Sequence, residues 1–480
     1  MVSDRIRMTT AFATLLSALA FYASTGLGEF WPLAWVAPAP VLWLACRRSP
    51  RHAIAPAAIA WFLGSLNLFG YLSRVMPAPI VLALLMAPAI VFGLVVAFTG
   101  AATRRLGPVA GALAFPAAWT SYEFLLSLVS PHGTALSLGY SQIQWLTLMQ
   151  IVSVTGLWGV VFLVTSVPSS IAAALSYRTP RALAPPAVLL LAAVSFGAYR
   201  LEQTSAARPI RVGLAVTDTD IGRVFATTDR ATTLAIVRGY GDRIDQLARD
   251  GATLIVLPEK MTGATPASAP EAAAMLAEAA RRNQVTIVAG INRVAIDPLR
   301  NVAWVFGPDG RQLVEYDKHH MLPGPETGYL VGAQPALFSA PNAQAGVAIC
   351  KDMDFQGWSR EYGRRDVRLL AVPAWDFVVD GRLHFRMALA RGIENGFAMV
   401  RAAEQGLLTV TDGYGRTIAS KTSGAEALLV ADVAPGPGAT FYTRTGDWCG
   451  WLAVGLAAIL ALLSASKIGP RDARAADDRY

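Results

Sequence analysis

The chain has 480 residues, 54% of them hydrophobic and only 15% charged, with a net charge of +8 and a mean hydropathy of +0.42. It is longer than one core usually organises and too apolar for a protein solvated by water alone, so at least two units are expected, one of them in lipid. The positive charge does not point to nucleic acid: basic residues stand beside apolar segments, as at Arg47, Arg48 and Arg51 or Arg104 and Arg105, and no basic face is interleaved with aromatics.

In chain order, a bilayer core of about 30 Å asks for ~20 apolar residues per helix. Seven stretches meet that before residue 202: 8–27, 29–46, 53–72, 80–102, 108–130, 145–177 and 183–201. The stretch 145–177 is longer than a span needs and is expected to include an interfacial or tilted part. The first follows Arg5 and Arg7 but ends in no small-x-small cleavage pattern, so it reads as an uncleaved helix. An eighth span runs from 449 to 467. Arg47, Arg48 and Arg51, then Arg104 and Arg105, then Arg178 and Arg181, and finally Lys467, Arg471 and Arg474 fall on one side of such a bundle. The loop 131–144 has no Lys or Arg, and the other short loop on its side has only Arg74. The positive-inside rule therefore predicts both termini in the cytoplasm and residues 202–448 outside it. The expected units are membrane helices over 1–201, an extracytoplasmic domain over 202–448, a last helix over 449–467 and a cytoplasmic tail over 468–480.

From Pro209 the pattern changes. Strands are predicted at Ile210 to Ala215, Leu254 to Leu257, Thr286 to Gly290, Val302 to Phe306, Ala345 to Ile349 and Leu369 to Val372, and helices at Thr232 to Asp250, Ala269 to Arg282 and Leu383 to Gly396. Apolar strands alternating with helices imply a layered α/β domain with a buried sheet. Gly307-Pro308-Asp309-Gly310 and Asp412-Gly413-Tyr414-Gly415 read as hairpin turns that add antiparallel strands.

Three polar residues follow predicted strands: Glu259 after Leu254 to Pro258, Lys318 after Leu313 to Asp317, and Cys350 after Gly346 to Ile349. Loops after strand ends are where such folds carry their chemistry. Of the three cysteines, Cys46 and Cys449 edge apolar segments, and no pair has zinc or disulfide-framework spacing. A cysteine activated by a carboxylate base, beside a lysine that meets a developing oxyanion, is a complete set for acyl transfer through a thioester. Singly, each has a plain reading as a core thiol, a loop carboxylate or a surface lysine.

Glu259, Lys318 and Cys350, in that order, resemble the Glu-Lys-Cys set of the nitrilase superfamily. With the membrane helices the chain resembles the superfamily's apolipoprotein N-acyltransferase branch. Leu138-Gly139-Tyr140-Ser141-Gln142 after Trp119-Thr120-Ser121-Tyr122-Glu123, the run Tyr442 to Trp448, and His384 to Ala388 followed by Arg391 to Glu394 are similar to that family's motifs. The resemblance implies an αββα sandwich beside the helical bundle, with Glu259 as base, Lys318 as oxyanion stabiliser and Cys350 as nucleophile. It implies supporting roles for Glu326, Asp352, Trp375 and Glu394, and no cofactor or metal. It further implies a phospholipid donor such as phosphatidylethanolamine, a diacylglyceryl-lipoprotein acceptor, a monomeric protein and the bacterial inner membrane. Three places depart from the family pattern: Cys350-Lys351-Asp352 replaces Cys-Tyr-Glu, Pro323-Gly324-Pro325-Glu326 replaces Pro-Phe-Gly-Glu, and Ala215-Val216-Thr217-Asp218 lacks Gln-Gly-Asn.

Two other readings stay open on the residues: a membrane-tethered amidase or hydrolase, made plausible by Lys351 beside the nucleophile, and a binding scaffold without activity. His319 and His320 read as loop residues rather than metal ligands. Gly324, Gly328 and Gly332 suggest a mobile flap after Lys318.

Overall fold

The computed structural model describes residues 2–205, 207–217, 229–424 and 426–466. The expected cytoplasmic tail, Lys467 and Asp218 lie outside the described residues. The membrane part is built from α1 (Val2–Ser24), α2 (Ala39–Arg47), α3 (Arg51–Ser65), α4 (Ala78–Leu106), α5 (Ala114–Val129), α6 (Leu157–Tyr177) and α7 (Ala184–Glu202). Among the described residues seven helices are long and apolar enough to cross a bilayer, one fewer than the sequence suggested.

The difference lies at 29–46. In place of one helix there is a 3-10 turn at Trp31–Trp35 and the nine-residue α2. Pro32, Pro38 and Pro40 remove backbone donors and clash with a continuous helix. The segment nevertheless connects opposite ends of the bundle. At one end Arg48 reaches back to Ile6 O at 3.1 Å and to Thr10, and Arg104 donates to Ala45 O at 3.0 Å. At the other, Asn67 Nδ2 donates to Tyr22 O and Thr25 O at 2.8 and 2.6 Å, while Glu29 pairs with Arg382 and Arg386 of the α/β domain at 2.7 and 3.2 Å. Helices α1 and α3 therefore run parallel, and residues 26–47 return between them. Irregular backbone is tolerable at that depth because it is buried in protein: Ala34, Trp35, Val41, Leu42 and Ala45 all belong to the bundle core. The stretch 145–177 divides into two single turns, Leu146–Met149 and Val152–Thr155, followed by α6, with Gly156 at φ 63° marking the break. Likewise 53–72 ends as α3 and two short turns.

The α/β domain comprises two sheets. The strands β1 (Ile210–Val216), β2 (Leu254–Val256), β3 (Thr262–Ala264), β4 (Thr286–Arg293), β5 (Arg300–Phe306), β6 (Gln312–Asp317), β7 (Ala336–Ala340), β8 (Ala343–Val347), β9 (Leu369–Trp375), β10 (Ala398–Glu404), β11 (Leu407–Thr411), β12 (Thr417–Thr422) and β13 (Ala427–Val433) assemble in the orders β13-β1-β2-β4-β5-β6, with β3 on β4, and β12-β11-β10-β9-β8-β7. The predicted hairpins join β5 to β6 and β11 to β12. The strand expected at Ala345 to Ile349 lies earlier, because the chain leaves the sheet after Val347 and turns into the 3-10 segment Cys350–Asp354.

Val212, Leu214, Val256 and Val305 of the first sheet share one buried cluster with Val347, Ala371, Val400 and Val410 of the second, so the sheets pack face to face. On the outer face of the first lie α8 (Arg230–Arg249) and α9 (Ala269–Asn283). On that of the second lie α10 (Gln356–Arg364) and α11 (Gly381–Asn395). The result is the αββα order, and α12 (Trp448–Ser466) then returns to the bundle. There Arg105 of α4 donates to Ser464 O at 2.8 Å.

Candidate active site

Each of the three residues singled out leaves a strand end. Beyond β2, Glu259 is tied across the sandwich by its N–H to Ala374 O at 3.3 Å. Lys318 extends β6, its N–H bonding Asn301 O at 2.9 Å. Cys350 opens a 3-10 turn, Cys350–Asp354, with φ 41°, a region that residues with side chains rarely occupy.

Lys318 is buried between two carboxylates: Nζ donates to Glu259 Oε1 and to Glu326 Oε2, both at 2.8 Å. Asn301 Nδ2 donates to the same two carboxylates at 2.6 and 2.8 Å, and Leu322 N–H to Glu326 at 2.7 Å. A second lysine, Lys260, pairs with Glu326 at 2.7 Å and lies 4.5 Å from the centre of the Tyr329 ring. Two cations thus face two anions, the balance that makes so many buried charges tolerable. Burial alone would lower the Lys318 ammonium, but Glu259 and Glu326 outweigh it and hold it well above its ordinary value. For Glu326 burial pushes up, while Lys318 and Lys260 prevail and hold the carboxyl well below its usual range. The Cys350 thiol is pushed well above its ordinary value, first by burial and then by the Glu259 charge, with Lys318 opposing. It is therefore a neutral thiol at rest that needs a base. Its Sγ points to Trp375 O at 3.3 Å.

Asp352 holds the turn that carries Cys350. It accepts from Ile349 N–H at 3.0 Å, from Tyr316 Oη at 2.6 Å and from His320 N–H at 2.8 Å. Glu394 lies elsewhere, at the junction with the bundle: it accepts from Leu157 N–H at the start of α6 at 3.0 Å and from Gln356 at 3.2 Å, and pairs with Arg391 at 3.1 Å. The ring of His319 stacks on Trp358 and that of His320 on Phe355. Asn301, Lys260 and Tyr316 did not stand out in the sequence. Lys260 adjoins Glu259, but an asparagine or tyrosine inside a strand carries no pattern that separates it from core.

Glu259, Lys318, Cys350 and Trp375 line a single cavity of about 430 Å³. Its other wall is made by the bundle, with Trp61, Leu68, Leu72, Leu84, Leu85 and Leu126, so the thiol opens onto apolar surface between membrane helices.

The model of the apolipoprotein N-acyltransferase N-terminal domain matches residues 13–169, and that of the carbon-nitrogen hydrolases matches 215–436. An apolipoprotein N-acyltransferase of Geobacter metallireducens is 28% identical over 517 residues, covering 96% of each chain. One of Bradyrhizobium diazoefficiens is 28% identical over 368 residues, covering 68% of each. The chain is similar to the apolipoprotein N-acyltransferases along nearly its whole length. Outside the family, the chloroplastic omega-amidase of Arabidopsis thaliana is 27% identical over only 40% of this chain and 61% of its own length. Matches over both the bundle and the α/β domain are what join the chain to the N-acyltransferases.

Proposed function

We propose that the chain transfers a fatty acyl group from a phospholipid, through a thioester on Cys350, to the N-terminal amine of a diacylglyceryl lipoprotein. Glu259 takes the thiol proton as Sγ attacks the ester carbonyl. Lys318, cationic between Glu259 and Glu326, meets the tetrahedral oxyanion, and the leaving alkoxide takes the proton from Glu259, releasing lysophospholipid. The acceptor amine then attacks the thioester, gives its proton to Glu259, and the thiolate leaves and is reprotonated. Trp375 holds the thiol through its carbonyl, and Asp352 keeps the turn in place.

The observation that carries this reading is the cavity, which joins Cys350, Glu259 and Lys318 to an apolar wall of membrane helices. A water-soluble substrate needs no such wall; an acyl chain does. The distribution of Arg between the two ends of the bundle supports a bacterial inner-membrane location with the α/β domain on the periplasmic side.

Mass spectrometry of the purified protein mixed with phosphatidylethanolamine and a diacylglyceryl lipopeptide tests the proposal. The expected result is an acyl adduct on Cys350 followed by acyl mass on the peptide amine, with Cys350→Ala giving neither. Free fatty acid as sole product would replace transfer by hydrolysis.

A further inference from the structure

Lys318 is not the cavity's only lysine beside the nucleophile. Lys351, the next residue after Cys350, is 5% exposed and lines the same cavity. Its Nζ lies 3.2 Å from Asp354 Oδ2 and 3.2 Å from His132 Nδ1, and 5.7 Å from the centre of the Phe355 ring. His132 comes from the loop between α5 and α6, so membrane part and catalytic domain each supply one member. Among the described residues the ammonium has two acceptors for three N–H donors, leaving one for the cavity. An imidazole that accepts from Lys351 at Nδ1 carries its proton on Nε2, which makes His132 a second donor. Asp354 has a second neighbour: its Oδ1 lies 4.0 Å from His384 Nδ1, and His384 Nε2 bonds Asp380 at 3.0 Å. A ligand anion that draws Lys351 from Asp354 therefore leaves that carboxylate opposite His384 and not alone.

Asp354 already pairs with the buried Lys351, but one donor still faces the cavity, and the triad has its own cation in Lys318. An ester in reach of Cys350 Sγ places whatever lies a few bonds along its glycerol near the neighbouring residue. We infer that Lys351 and His132 form a subsite for the phosphodiester of the acyl donor, an assignment that rests on the phospholipid reading above. It makes the departure at Lys351 a determinant of donor choice.

The experiment compares acyl-enzyme formation on Cys350 from phosphatidylethanolamine and from diacylglycerol with the same acyl chains, in mixed micelles, using the full-length protein. The wild type is expected to prefer the phospholipid. In Lys351→Met the ratio of the two efficiencies falls about tenfold or more, the scale of a lost charge-assisted hydrogen bond. Lys351→Arg restores the ratio, which a misfolded or merely displaced turn would not do. Excess inorganic phosphate leaves the wild-type preference intact if the site takes lipid-borne phosphodiester; abolition of the preference would make it a free-phosphate site and overturn the assignment. A ratio unchanged in Lys351→Met, or one that Lys351→Arg fails to restore, would sink the subsite while acylation of Cys350 still upheld the thioester reading. No acyl-enzyme from phospholipid in the wild type would remove both.

Discussion

Cys350 carries two local burdens, a left-handed backbone and a thiol held in its neutral form. The second comes from burial and then from Glu259, whose charge opposes formation of a thiolate while, in the proposed mechanism, its lone pair takes the proton. These two effects of one carboxylate can be separated. In Glu259→Gln the largest repelling charge is gone while Lys318 and Arg401 still favour the thiolate, so the Cys350 pKa falls and iodoacetamide alkylates it faster at pH 8 than in the wild type. Acyl transfer falls at the same time, by roughly 10² to 10⁴, the usual contribution of a positioned base. Alkylation that slowed together with transfer would mean Glu259 supports the fold rather than the proton transfer. The three residues were legible in the sequence because each follows a strand and their order matches a known set. Their environment was not. Asn301, which bridges both carboxylates, lies in a strand that is buried and apolar from Val302 onward, and the work of Asp352 in bonding Tyr316 and His320 depends on contacts distant in sequence.

At the scale of elements, the loop between α5 and α6 reaches the turn that carries Cys350. Thr134 N–H and Oγ1 both donate to Asp354 O, at 3.0 and 2.8 Å, and Thr134 Oγ1 also meets Tyr140 Oη at 2.6 Å. Gly133, at φ 53°, makes the approach possible: a Cβ there would stand 2.5 Å from Asp354 O. Gly133→Ala must therefore shift the loop or the turn. We expect acyl-enzyme formation to slow by roughly ten- to a hundredfold, the sensitivity of an attack geometry to a shift near 1 Å, while the protein stays monodisperse in detergent. Single-turnover acylation at the wild-type rate would show that the loop does not set the nucleophile. This contact was hidden because loop 131–144 was read for its lack of charge and not for what it touches. The opposite error occurred at 29–46, where apolar content suggested one helix. Hydropathy counts solvation by lipid, but three prolines decide the backbone, and the short α2 survives only because its neighbours bury it. Strands with apolar runs were easier to place, whereas β10, which buries Arg401 and Glu404, carries no such run.

At the scale of the whole molecule, the cavity exists because the bundle and the sandwich close on one another, and that closure also fixes the parity of the chain. Arg48 beside Ile6, Arg104 beside Ala45 and Arg105 beside Ser464 mark one end of the bundle; Glu29, Asn67 and Thr134 mark the end that meets the α/β domain. In the proposed topology the broken segment 26–47 counts as a crossing, which gives seven before the domain. Had it been a surface excursion, the positive-inside rule would have placed the domain on the wrong side of its own arginines. The proposed orientation follows by counting Arg at each end, and it can be tested without reference to activity. In a Cys350→Ala background, Ser420→Cys on exposed β12 should react with a membrane-impermeant maleimide in intact spheroplasts, whereas Arg178→Cys, after α6, should react only once the membrane is lysed. Labelling of both before lysis, or of Arg178→Cys alone, would invert or abolish the assignment. With the domain outside, the cavity opens toward the leaflet that faces it, and the pool of phospholipid in that leaflet becomes the donor available to Cys350.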